Sequence, residues 1–127
     1  MPLEMSNPPT VHKPGSYSHA VLVRDATRRL VISGQVGTAP DGRIAEGGEA
    51  QIDQALANLG AILDAHGMTP ANLVKMTVFL TDPALIVPWR TKRGAWMGEH
   101  RSASTLLIVA GLADPRFLVE VEAEASD

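Results

Sequence analysis

The order strand, strand, helix, strand, helix, strand, strand predicts an α+β domain: a mixed sheet with two helices packed on one face. Three stretches carry that expectation. Ile52, Leu56, Leu59 and Leu63 form a one-sided stripe at helical spacing. Residues 73–81 alternate as a strand does, with Val74, Met76, Val78 and Leu80 on one side and Leu73, Lys75, Thr77 and Phe79 on the other. Residues 104–109 and 117–123 read as a closing strand pair joined through Gly-Leu-Ala-Asp-Pro.

Taken in order, residues 1–13 carry Pro2, Pro8 and Pro9 and predict a flexible N-terminal arm, neither helix nor central strand. A single domain is expected over residues 14–127. Residues 19–24 and 28–33 alternate around Asp25-Ala26-Thr27 and predict a β-hairpin, with Leu30 and Ile32 facing inward. Gly34 and Gly37 at the end of that strand predict a bulge or a close backbone approach. They lack the further glycine and the immediate helix of a dinucleotide loop. Pro40-Asp41-Gly42 is a turn.

The first helix is expected over residues 49–66, stopped by Gly67. Thr69-Pro70 and Asp82-Pro83 each combine a capping side chain with proline at the first helical position. Pro88 is expected to interrupt the second helical region, leaving one turn to about residue 87 and a helix over 89–100. With both helices on one face, the other keeps apolar residues such as Leu73 and Phe79, so the chain is expected to self-associate.

Composition narrows the function. The chain has 127 residues, 45% hydrophobic and 20% charged, with a formal net charge of −3. That leaves no basic surface for nucleic acid, and 4% aromatic residues leave little for base stacking. Absence of cysteine excludes disulfides, thiolate metal sites and a cysteine nucleophile. His12, His19, His66 and His100 show no ligand spacing, so no metal is expected. No signal-peptide pattern opens the chain and no run approaches a membrane span, which points to the cytoplasm.

The closing strand places Glu120, Glu122 and Glu124 on one face. Such a row is either a solvated face or, at Glu120, a pocket acid. The blocks Pro14-Gly15-Ser16-Tyr17-Ser18-His19-Ala20, Leu30-Val31-Ile32-Ser33-Gly34-Gln35, Gln54-Ala55-Leu56-Ala57-Asn58-Leu59, residues 73–82, Gly98-Glu99-His100 and Val119-Glu120-Val121-Glu122-Ala123 occur in sequence. In these blocks the chain resembles the RidA/YjgF translation-inhibitor family, also described as L-PSP endoribonuclease-like.

The resemblance implies a homotrimer of chorismate-mutase-like subunits, sheets forming an inner barrel, with three pockets between subunits. In its deaminase branch it implies cofactor-free hydrolysis of imines and enamines, such as 2-aminoacrylate, to a keto acid and ammonia. Glu120 matches the family glutamate, Tyr17 the pocket tyrosine, and Ser33-Gly34 the pocket Ser-Gly. The branch arginine, within Pro-Ala-Arg-Ser, has no counterpart. Alignment on Val109-Ala110-Gly111-Leu112 puts Ser104 there, and counting back from Glu120 puts Thr105 there. Arg90 stands where the branch has asparagine and is the alternative cation for a small anionic ligand. Two functions stay open: an imine or enamine deaminase using Glu120 as acid/base, or a non-catalytic small-molecule-binding trimer. Ribonuclease activity ranks third.

Overall fold

The computed structural model describes residues 2–127. Its strands are β1 (Leu3–Ser6), β2 (Ala20–Val23), β3 (Arg29–Val36), β4 (Leu73–Leu80), β5 (Ala103–Ile108) and β6 (Val119–Ser126), with helices α1 (Gly48–Ala65) and α2 (Ile86–Met97). The main sheet runs β3-β6-β4-β5, and β1 and β2 form a separate two-stranded ribbon. β4 and β5 are parallel, and β6 is antiparallel to both β3 and β4, so the sheet is mixed as expected.

Two strand pairings differ from expectation. β2 does not return on β3; it pairs with β1, Leu3 opposite Val23, so the arm itself supplies a strand. The segment that would have made the hairpin turn is engaged elsewhere. Thr27 N donates to the Asp127 carbonyl at 2.7 Å and the Arg28 guanidinium clasps the Asp127 side chain, which seats β3 against β6. The closing strands are not a hairpin either. β4 lies between them, with β5 parallel on one edge and β6 antiparallel on the other, so β5 and β6 do not pair.

Burial explains the rest. Ile52, Leu56, Leu59 and Leu63 of α1 meet Met76, Val78 and Leu80 of β4 and Val121 and Ala123 of β6, with Trp89 and Met97 added by α2. Each Leu, Ile, Val or Met side chain so removed from water contributes on the order of 1.5–3 kcal/mol. Both helices pack on the same sheet. A register shift between Leu73 and Lys75 turns Leu73 inward to 0% exposure. Leu73 is therefore core and not part of the uncovered face; Val31 and Leu107 are exposed there instead.

Thr69 and Asp82 cap short 3-10 turns as their sequences predict, each accepting a backbone N–H two residues on. Pro88 does not interrupt α2, which runs unbroken from Ile86 to Met97. It falls in the first turn, where no N–H has an intrahelical acceptor to lose. The helix stops at Gly98, whose φ of 66° favours glycine, so residues 98–100 are not helical. None of the described helices is long and apolar enough to cross a membrane.

Candidate functional site

β6 alternates cleanly. Val119, Val121, Ala123 and Ala125 are buried against the helices, so Glu120, Glu122 and Glu124 share the uncovered face. Register places Glu120 beside Phe79 and Val36, Glu122 beside Thr77, and Glu124 beside Lys75. The three acids are not equivalent. Glu124 pairs with Arg29 at 3.0 Å, whereas none of the ion pairs among the described residues engages Glu120.

Glu120 lies over the β3 bulge. The register shift between Ile32 and Gln35 contains Ser33 and Gly34, and the missing Cβ of Gly34 makes room for the acid. A Cβ built there would sit 2.1 Å from Glu120 Oε2 and 2.7 Å from Cδ. Glycine at 34 thus lets a half-buried carboxylate lie flat on the backbone. Beside it, Val31, Lys75, Thr77, Glu122 and Glu124 line a cavity of about 200 Å³.

Two α1 amides fix both strands that carry this geometry. Gln51 Nε2 donates to Ala45 O at 3.0 Å and Arg116 O at 2.9 Å, while its Oε1 accepts from Leu118 N at 2.8 Å, one residue before β6. Asn58 Nδ2 donates to the carbonyls of Val36 and Thr38, both at 3.0 Å, closing the end of β3. Gly37 makes this approach possible, since a Cβ there would meet the Gln51 Cα at 2.8 Å. Sequence reasoning used Asn58 only within a family block and gave Gln51 no role. The available signal was polar amides seven residues apart on an otherwise apolar helix face.

The other predicted residues are distributed more widely. Thr105 lies opposite Thr77 on the uncovered face and accepts from Lys75 Nζ at 2.7 Å. Ser104 lies opposite the buried Met76, so it faces the helices. Of the two hydroxyls, Thr105 shares the side of the sheet on which Ser33, Gly34 and Glu120 meet. Tyr17 stands with the opposite end of β4, near Ala103 through the Ser18 bridge, and stacks edge-to-face on His19 at 5.7 Å. Arg90 is exposed on α2. One chain therefore joins Glu120, Ser33 and Gly34 but keeps Tyr17 and Arg90 apart from them. Among the described residues no group of His, Cys, Asp or Glu forms a metal-binding cluster.

Fold and site together define a two-layer, chorismate-mutase-like subunit with an acid on its uncovered sheet face. The chain belongs to the Endoribonuclease L-PSP family, whose model matches residues 9–126. It is similar to the 2-iminobutanoate/2-iminopropanoate deaminase of Rattus norvegicus, 49% identical over 70 residues, covering 54% of this chain and 49% of that protein. A RutC family protein of Aquifex aeolicus is 39% identical over 80 residues, 62% of each chain. The matched segments thus span less than two thirds of these relatives' own length. Among solved structures, the Rid protein YyfB from Yersinia pestis, of unknown function, superposes with a TM-score of 0.90 at 34% identity, covering 99% of both chains. The YjgF gene product of E. coli superposes with a TM-score of 0.73 at 30% identity, covering 88% of both.

Proposed function

We propose that this protein is a cytoplasmic, cofactor-independent deaminase of small imines and enamines, working in pockets between the subunits of a homotrimer. One observation carries the reading: the Glu120 carboxylate, without an ion-pair partner among the described residues, is held over Gly34 on the sheet face that meets the neighbouring subunit in such an assembly. A carboxylate in that setting accepts and returns protons. Water adds to the imine carbon as Glu120 takes its proton. The nitrogen is protonated, the C–N bond breaks, and ammonia leaves as the carbonyl forms. An enamine first gains a proton at carbon to become the imine. Tyr17 and Arg90, distant from Glu120 within one chain, are the residues a neighbour would contribute, Arg90 holding an anionic group and Thr105 adding a hydroxyl contact.

Ammonia release is the test. Freshly generated imino acids should lose nitrogen faster with the protein than in buffer, and Glu120→Gln should return them to the buffer rate. An unchanged rate across the whole panel rejects catalysis. The second reading, a non-catalytic binding trimer, is favoured by the hydroxyls at Ser104 and Thr105 in place of the branch arginine. It predicts ligand-dependent thermal stabilisation that survives Glu120→Gln without turnover. Light scattering that returned a monomer would remove both readings.

A further inference from the structure

Far from Glu120, the start of β5, the segment before β2 and the middle of α2 meet. Ser18 N donates to Ser102 O at 3.1 Å, and Arg93 Nη2 donates to Ser16 O at 2.7 Å. Arg93 is only 3% exposed, Ser18 1% and Ser102 0%. Three polar atoms of this junction, Arg93 Nε, Ser18 Oγ and Ser102 Oγ, are buried without a hydrogen-bond partner. No other buried side-chain atom among the described residues shares that condition.

A buried guanidinium is costly unless an anion faces it. Here none of the ion pairs among the described residues includes Arg93. The charges that act on it are of its own sign. Burial first, then Arg101 and then Arg90, lower the affinity of the Arg93 guanidinium for its proton. An adjoining cavity of about 250 Å³ touches the junction at Ser18, is lined also by Tyr17, Lys13 and Arg101, and has no carboxylate in its wall. A clamp on Ser16 O alone would need one donor. It explains neither the two hydroxyls left over nor the gathering of cations.

We propose that this junction binds a small-molecule oxyanion, either a carboxylate or a phosphate group. Arg93 Nε and the hydroxyls of Ser18 and Ser102 would be its innermost donors, and Arg101 and Lys13 its rim. Several N–H and O–H donors left unpaired, with a planar guanidinium among them, suit an oxyanion and not a halide. Tyr17, assigned above to the Glu120 pocket, also lines this cavity, but none of the donors named here belongs to that pocket's set.

The test is titration of the full-length protein with inorganic phosphate and, separately, with sodium acetate, against sodium chloride at matched ionic strength. Calorimetry gives the affinity, and the Arg Nε–H resonances give the place. A saturable response to phosphate or acetate that moves the Arg93 Nε–H signal is expected, and which anion responds names the source. Arg93→Gln and Ser102→Ala should each weaken binding by about tenfold or more. Arg116→Gln, which removes an equal charge elsewhere, should not. Ser102→Ala alters a single hydroxyl and serves if the arginine variant fails to fold. The proposal is overturned if both anions act no better than chloride. It is overturned equally if binding persists in Ser102→Ala, or if the arginine variant loses stability while the wild-type protein ignores both anions.

Discussion

The two ends of β4 solve opposite electrostatic problems. At the Phe79 end, a carboxylate rests on a glycine backbone, and neutral amides from α1 fix the strands around it. At the Lys75 end, next to Ala103 and Ser18, an arginine is buried with other arginines nearby and, among the described residues, only a carbonyl as partner. The acid is left free without being sealed from water. The cation is sealed without being neutralised. Freedom suits a group that must exchange protons, and burial suits one that must hold a partner of opposite charge.

The largest expected effect breaks the acid end chemically. Glu120→Gln should lower ammonia release about a hundredfold or more while leaving the urea midpoint nearly unchanged. Next, Gln51→Ala should cost about 2–3 kcal/mol in urea unfolding, because Leu118 N and two carbonyls lose their partner together. Its activity should fall with its stability. Gly34→Ala separates these two readouts. The atom its Cβ meets is the mobile end of a side chain, so stability should change by less than about 1 kcal/mol. Displacement of the carboxylate should nonetheless reduce turnover about tenfold. A Gly34→Ala protein that is fully active would show that Glu120 need not lie where it does.

The smallest expected effect lies outside both ends. Hydrogen bonding to Arg28 holds the Asp127 carboxyl below its ordinary value. An acid depressed on folding contributes stability above its unfolded value and loses it as pH falls through the folded one. Thermal stability should thus decline below about pH 4 slightly more in the wild-type protein than in Arg28→Gln. Equal acid-side slopes would show that the pair adds nothing measurable.

Much of the fold was legible because local pattern and burial agree. The α1 stripe, the capped proline turns and the alternation of Glu120, Glu122 and Glu124 all stand where the residues put them. What was not legible depends on contacts distant in sequence. Nothing between residues 19 and 33 reveals that Asp127 occupies the turn, so the local hairpin pattern was misleading. Leu73 alternates correctly on paper and is turned inward by a register shift. Gly34 was readable as a bulge, but not as the floor beneath Glu120. Arg93 sits among Arg90 and Lys92 and reads as part of a solvated helix face; only its contact with Ser16, 77 residues away, reveals its burial.

The place of β6 sets a schedule. It follows every other described strand in the chain and lies inside the sheet, hydrogen-bonded on both sides to β3 and β4. When β3 leaves the ribosome, its partner is still about 90 residues from being made. Until then, β3 and β4 have no shared neighbour, and the apolar stripe of α1 has only part of its bed. Folding of such a sheet waits on β6, the costly consequence of long-range pairing. A ribosome stalled shortly before residue 119 would present helices and strand edges without the element that joins them, the state most in need of a chaperone.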